Sequence, residues 1–254
     1  MKPDSLRPFR TIARALLVAA ALALSGCGTY QTPGAGVDLG DLTKADVDIA
    51  ELMKKEPAAQ FPARLALARI QATGYYTRNT QCYGKGRYCI VTTRDVESEQ
   101  DIDRIGRLPQ VAAIAPMSRL LVPSELRSIK DLRHGAATLK TDLLLIYSID
   151  TRFRVESTEI GPLGLISLGF LPNKKAHVTS TASAALFDVR TGFVYGTAEA
   201  TANEQQRATT WSSEDAVERS RVKAESDAFN RLVLEVEKLW QGVLQQHASA
   251  KTGR

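Results

Sequence analysis

The hydrophobic positions of this chain change their spacing along its length. In residues 41–55 apolar side chains recur every three or four positions, which predicts a helix, and Glu56-Pro57 ends it because a residue before proline avoids the helical region. Residues 61–72 alternate after Pro62, which fits either a strand or a helix. We favour a strand, because the next segment resembles the arm of a hairpin.

The next segments predict further alternation of strands and helices. The β-rich residues 88–93 predict a strand, and the apolar stripe of residues 98–108 predicts a helix closed by Pro109. The short apolar run 111–115 predicts a buried strand. Ser124 then predicts the N-cap of a helix, with an acid in its first turn. Its predicted buried face is Leu126, Ile129, Leu132, Arg133, Ala136 and Leu139.

The apolar run 143–147 follows that helix directly, which is typical of a central strand covered on both faces. Residues 152–156 predict a separate, half-exposed strand with Phe153 and Val155 inward. Two further strands are predicted at 176–188 and 193–202, joined by a four-residue turn that ends in Gly192.

A long helix is predicted over residues 214–246, with Ser212 and Asp215 resembling a capping box. Trp240 widens its apolar stripe, which consists of Val217, Ala224, Ala228, Phe229, Leu232, Val236, Leu239 and Val243. The fold class is therefore α/β: a mixed sheet with helices packed on its faces, an antiparallel hairpin near 176–202 and a long C-terminal helix. We expect one domain over residues 41–247 and a loose tail at 248–254.

The N-terminus carries a localisation signal. A basic start precedes the apolar run Ala15–Leu24, as in a secretory signal, and Leu24-Ser25-Gly26-Cys27 resembles the lipobox of bacterial lipoproteins. That resemblance implies that residues 1–26 are removed and that Cys27 is acylated. The alternative is a soluble exported protein with a chance cysteine. Gly28 then implies the outer membrane, facing the periplasm, and the glycine-rich residues 27–40 predict a flexible tether.

The net charge of the chain limits the classes of partner that it is expected to bind. The whole chain has a net charge of +5, but the signal contributes +3, so residues 27–254 are nearly neutral and we expect no nucleic-acid binding. The two remaining cysteines, Cys82 and Cys89, predict a disulfide in an oxidising compartment, worth about 2.5 kcal/mol for a loop of this length. A zinc site is disfavoured because it needs two further ligands, and none lies nearby in the sequence. A redox-active pair is disfavoured because it normally has two residues between its cysteines, whereas six lie between Cys82 and Cys89.

The sequence contains none of the common catalytic motifs. There is no G-x-S-x-G elbow, phosphate-binding loop or H-E-x-x-H motif, and His134, His177 and His247 have no partner at ligand spacing. We therefore expect a protein that is not an enzyme and that needs no cofactor or metal.

The segment 160–172 is apolar and punctuated by glycine. It predicts either an arm folded over the sheet or an exposed patch that contacts a partner or a lipid surface. The candidate contact residues are Leu163, Leu165, Ile166, Leu168, Phe170 and Leu171.

The stretches LKTDLLLIYSIDT and LGFLPNKKAHVTSTASAALFDVRTGFVYGTAEAT, together with the lipobox and the C-terminal helix, resemble the rhombotarget lipoproteins. These are similar to periplasmic proteins with a CsgG-like or TolB-N-terminal-like fold. The resemblance spans residues 41–246, is most specific at 142–202, and implies a non-enzymatic assembly or binding module. The tail HASAKTGR departs from the family's sorting tail, and residues 158–177 are too few for paired membrane-spanning strands.

These expectations combine into three alternatives. The first is a lipid-anchored accessory that binds an envelope protein in an envelope or secretion complex. The second is a subunit of an oligomeric, CsgG-like secretion channel. The third, an envelope hydrolase, is disfavoured because no nucleophile and base can be named.

Overall fold

The computed structural model describes residues 36–40, 49–77, 80–157, 174–208 and 213–248. Within these residues the helices are α1 (Ile49–Met53), α2 (Glu99–Gly106), α3 (Ile129–Thr138) and α4 (Ser213–Val243), and α4 continues as a π-helical turn, Leu244–Ala248. The strands are β1 (Ala63–Gln71), β2 (Lys85–Gly86), β3 (Cys89–Val91), β4 (Val111–Pro116), β5 (Glu125–Leu126), β6 (Leu143–Ser157), β7 (Lys174–Asp188) and β8 (Val194–Ala208).

One mixed sheet organises the chain, in the order β3-β1-β6-β7-β8. Strand β4 also pairs with β1, beside β3. The β1–β4 and β1–β6 pairs are parallel, whereas β6–β7 and β7–β8 are antiparallel over up to fifteen residues. Parallel neighbours require crossover segments, and helices α2 and α3 lie in those segments.

The sheet separates two apolar cores. On one face, residues such as Leu65, Leu145 and Ala184 pack against Phe229 and Trp240 of α4. On the opposite face, residues such as Ile70, Leu144 and Phe187 pack against Ile129 and Leu132 of α3. Because β1 and the first half of β6 contribute to both cores, these strands are buried on both faces and read as continuous apolar runs.

The structure confirms the predicted fold class, including the antiparallel hairpin and the long C-terminal helix. The hairpin turn has Gly192 at φ +71°, where glycine carries no steric penalty. Along α4, Ala224, Ala228, Phe229, Leu232, Val236, Trp240 and Val243 are buried, and Leu239 is partly buried.

The predicted start of the third helix was wrong. Residues 125–126 form β5, which pairs with β2, and α3 begins only at Ile129 with Ser128 as its N-cap. The backbone N–H of Ser128 donates to the Asp131 carboxylate at 2.9 Å. Residues 125–126, which the sequence pattern assigned to the first helical turn, instead form backbone hydrogen bonds with the disulfide loop.

Two strand predictions also need correction. Strand β4 is not buried: it lies at the sheet edge, where Val111 and Ile114 are half-buried under α2 while Ala112 and Ala113 are exposed. Residues 152–156 are not a separate strand, because β6 continues without interruption from Leu143 to Ser157. Where the helices cover both faces of a strand, its residues are continuously apolar, and where the strand extends beyond them, apolar and polar residues alternate. In the sequence this change of pattern resembles two separate strands.

The predicted tether of residues 27–40 includes a packed segment. Residues 36–40, here called the strap, lie against the sheet face that also carries α3, with Val37 and Leu39 partly buried there. The Gly36 N–H donates to the Asp150 carboxylate at 3.2 Å, and the Ser148 hydroxyl donates to the Val37 carbonyl at 3.3 Å. A Cβ at position 36 would lie 2.9 Å from that of Asp150, so the close approach requires glycine.

Candidate functional site

Cys82 and Cys89 form a disulfide with a Cα–Cα distance of 5.6 Å. The loop that they close contains β2, whose backbone is held by hydrogen bonds from Lys85 N to Ser124 O and from Arg87 N to Leu126 O. The disulfide loop is therefore a structural clasp that joins β3 to the segment before α3. The predicted acylation site, Cys27, and the six predicted contact residues of 160–172 lie outside the described residues.

The main concentration of buried charge lies between the sheet and α4. We call it the ionic cluster; it consists of Arg69 on β1, Asp95 and Glu97 before α2, and Arg221 and Glu225 on α4. The side chain of each is at most 8 % exposed.

Arg69 connects the sheet to the segment before α2. Its Nη1 lies 2.8 Å from Asp95 and 3.2 Å from Glu97, and its Nη2 donates to the Tyr75 hydroxyl at 3.0 Å. The Tyr147 hydroxyl donates to Glu97 at 3.0 Å. The Arg69 guanidinium therefore joins β1 to Tyr75 and to the segment before α2, and the Glu97 carboxylate extends the network to β6.

Arg221 joins the same network to α4. It donates to Glu225 at 2.6 Å and to Glu218 at 2.7 Å, and it lies 3.7 Å from Asp95. Glu225 in turn accepts from the Thr151 hydroxyl at 2.8 Å. Arg69 and Arg221 thus compensate acids from two separate segments, the one before α2 and α4 itself.

The electrostatics of the cluster follow from burial. Burial raises the pKa of Glu225, against the opposing effect of Arg221 and Arg69. Burial lowers the pKa of the Arg69 guanidinium, but the negative charges around it outweigh this and raise the pKa overall. Both arginines therefore stay charged, and Glu225 is a member of the cluster whose proton affinity is increased.

These contacts hold parts of the fold together and do not form a reactive acid–base pair. Its charged groups are bonded to one another, with the Glu225 carboxylate held from three sides, and none of its five residues lines the cavity described below. A general base needs access to a substrate proton. The arrangement instead fixes α4 and the segment 95–97 relative to the sheet.

Asp188 at the end of β7 has a similar structural role. It accepts the backbone N–H groups of Ala58, Ala59, Arg190 and Thr191 at 2.7–3.0 Å, and also the Tyr195 hydroxyl. Burial alone would raise the pKa of this carboxyl, but the backbone hydrogen bonds lower it overall. One carboxylate therefore anchors both the hairpin turn and the segment that precedes β1.

The opposite surface of β6–β8 is open and polar; we call it the outer face. Three polar pairs bridge β7 and β8 in successive register: Ser183 with Glu199 at 3.0 Å, Thr181 with Thr201 at 2.9 Å and Thr179 with Asn203 at 2.7 Å. The β8 members of these pairs are exposed. The result is a rigid row of hydrogen-bonding groups on a sheet whose other face is packed against α4.

A cavity of about 500 Å³ lies where the strap crosses the outer face. Val37, Asp38 and Leu39 form one wall, and Ser183, Thr197 and Glu199 are among the residues of the other. The strap lies within residues 27–40, for which the sequence predicts a flexible tether, so the cavity was not predicted. Its signal was present in the alternation of polar residues along β7 and β8.

The three histidines of the chain lie on different elements and do not converge. His134 lies on α3, His177 on β7, and His247 packs edge-on against Phe193 and Tyr195. Among the described residues no group of three or more His, Cys, Asp or Glu is arranged to hold a metal ion. The helices in that part of the chain include none that is both long and apolar enough to span a membrane.

No protein-family model matches the chain, and no curated protein sequence matches it. Solved structures show distant similarity. A Xanthomonas campestris protein of the DUF330 family is 14 % identical, with 76 % of this chain and 91 % of that chain covered, at a TM-score of 0.38.

A neuraminyllactose-binding hemagglutinin homologue from Helicobacter pylori is 8 % identical, with 76 % and 95 % covered, at a TM-score of 0.36. A hypothetical protein from Chlamydia trachomatis is 11 % identical, with 74 % and 95 % covered, at 0.24. At these TM-scores the similarities carry no argument about function.

Proposed function

We propose that this protein is a lipid-anchored, non-catalytic lipoprotein of the outer membrane, facing the periplasm. It binds an envelope protein and acts as an assembly accessory of an envelope or secretion complex. The observation that carries the proposal is the outer face: a rigid, exposed row of hydrogen-bonding side chains beside a cavity, on a molecule whose ionic cluster is internally paired.

Rigidity is the first supporting argument. A surface that is already ordered binds at a smaller entropic cost than one that must be ordered on binding. The outer face has fifteen-residue strands fixed by continuous pairing, and the ionic cluster holds α4 against the reverse side. The polar pairs are therefore presented in one arrangement.

The anchor is the second argument, and it rests on the lipobox resemblance at Cys27. Its test is a Cys27→Ala substitution followed by separation of membranes with a high-salt wash. We expect the variant chain to be released and the native chain to stay with the membrane. Retention of the variant after the wash would defeat the anchor.

Partner binding is tested by site-specific photo-crosslinking in cells. A photoreactive amino acid at Thr201 lies on the outer face, and the same group at Lys130 lies on the exposed side of α3 as a matched control. We expect one envelope protein to be captured from Thr201 and not from Lys130. Equal capture at both positions, or none at Thr201, would refute a specific outer-face interaction.

The mass of the unlipidated chain in solution separates the accessory from the channel. Light scattering of residues 28–254 is expected to give a monomer or a dimer. A ring of eight or more subunits would replace the accessory role with a channel role, because an oligomeric secretion channel requires closed symmetry.

A further inference from the structure

We infer that one end of the three-stranded β6–β8 sheet is the surface of the protein that meets an anionic lipid bilayer. This end, here called the distal end, comprises residues 151–157, 174–180 and 202–208, which pair with one another in register. The inference rests on the proposed function only for the attachment of the lipid at Cys27. The experiment on the surface itself uses protein that carries no lipid.

The first observation is the direction of the strap. Gly36 lies at Asp150 and Val37 lies at Ser148, so the strap runs antiparallel to β6. The N-terminal end of the strap, at Gly36, therefore points along β6 towards Ser157 and the distal end.

The second observation is reach. Gly36 is nine positions after Cys27, and an extended chain of that length spans at most about 30 Å. From Asp150 to the last residue of β6 the strand is about 23 Å long. A chain of this length is therefore long enough for an acyl anchor on Cys27 to lie in a bilayer at the distal end.

The third observation is charge, which distinguishes the two ends of the same sheet. The distal end carries five basic residues and two glutamates: Arg152, Arg154, Lys174, Lys175 and Arg207 against Glu156 and Glu204. The corresponding rungs at the other end, 143–149, 182–188 and 194–200, carry no lysine or arginine and contain Asp188 and Glu199. The cationic end is thus also the end towards which the N-terminal end of the strap points.

The exposed arginines fit phosphate headgroups. The side chain of Arg152 is 84 % exposed, with Asp150 at 3.3 Å as a neighbour, and Arg154 is exposed two residues further along the same face of β6. Further along the same strand pair, Lys175 is paired with Glu156 and Lys174 with Ser157. A guanidinium binds phosphate oxygens in a bidentate manner, so two arginines in this arrangement match a surface of phosphates.

The binding experiment uses residues 28–254, so that neither an acyl chain nor the basic and apolar residues 1–26 contribute. The co-sedimentation of this chain is measured with phosphatidylglycerol–phosphatidylcholine vesicles and with pure phosphatidylcholine vesicles at low ionic strength. We expect binding only to the anionic vesicles, weakened by salt. Replacing Arg152 and Arg154 by glutamine should lower the partition coefficient roughly thirtyfold, about fivefold for each cation.

A matched control substitutes two exposed cations far from the distal end, Lys130→Gln on α3 and Arg190→Gln in the β7–β8 turn. This variant should keep wild-type binding. Equal binding to both vesicle types, equal loss in both variants, or no binding to anionic vesicles would overturn the inference. Release of the Cys27→Ala chain from cell membranes tests the anchor separately, so the two failures are distinguishable.

Orientation is measured on the lipidated protein in vesicles that contain a headgroup quencher. A fluorophore is attached at Gln205→Cys on the distal end or at Arg190→Cys in the turn. We expect strong quenching at position 205 and weak quenching at position 190. The reverse order, or equal quenching, would place another surface against the bilayer.

Discussion

Removal of the Arg69 guanidinium is expected to destabilise the fold strongly. In an Arg69→Met variant the volume is nearly kept, but Asp95 and Glu97 lose their closest cation and Glu225 loses one of its two. Breaking a buried ion pair by deleting one partner typically costs about 3–5 kcal/mol, because the remaining charge stays buried without compensation. We expect a loss in that range for the free energy of unfolding.

The pH dependence gives this prediction a sign. Glu225 already has a pKa raised by burial, and losing Arg69 raises it further. An acid with a raised folded-state pKa gains stability as the pH falls through that value towards its ordinary 4.5. The difference between wild type and variant should therefore shrink as the pH is lowered from 7 to about 5.

Urea unfolding followed by circular dichroism, with the disulfide intact, measures both effects. The control is Arg107→Met, because Arg107 is 82 % exposed and pairs with Asp103 at 3.6 Å, so its loss should cost at most about 0.5 kcal/mol. An Arg69→Met protein within about 1 kcal/mol of wild type would refute the uncompensated-charge argument. A gap that widens on acidification would contradict the pH argument.

Three further changes test local geometry. Gly86→Ala should cost about 2 kcal/mol or more, since φ is +111° and the added Cβ would lie 2.3 Å from the Leu126 carbonyl oxygen, and thermal unfolding measures it. Asp188→Asn should destabilise the protein at pH 7 and lose this effect in acid, because a lowered folded-state pKa gives stability that disappears as the pH falls. Trp240→Phe should cost about 1–3 kcal/mol by losing ring area and leaving the Pro109 carbonyl without its indole donor at 2.7 Å, measured by urea unfolding.

Each change has an outcome that would contradict it. Gly74→Ala is the control for Gly86, since φ there is +88° but no atom lies within 4 Å of the added Cβ, so equal losses would exclude the clash. A constant Asp188→Asn effect between pH 7 and acid would show that its charge is irrelevant. A Trp240→Phe protein as stable as wild type would mean that the hydrogen bond contributes nothing.

The elements that the sequence determined are those whose cause is local. The apolar stripe of α4 shows that one side of the helix is buried, and the continuous apolar run that begins β6 shows that both faces of the strand are buried. Both patterns can be read from consecutive residues. The Gly192 turn is equally local, because a positive φ is a property of one residue. These features were sufficient to predict the fold class, and the Cys82–Cys89 spacing was sufficient to pair the two cysteines.

Tertiary structure alone decided which chain segments meet. The late start of α3 depends on pairing between residues 125–126 and the disulfide loop, and the exposure of β4 depends on its place at the sheet edge. The ionic cluster draws on residues more than 150 positions apart, so Arg69 in an apolar strand and Arg221 on a helix gave separate signals with no indication of their contact. Pairing and burial are sums over neighbours distant in sequence, and only the folded chain supplies those neighbours.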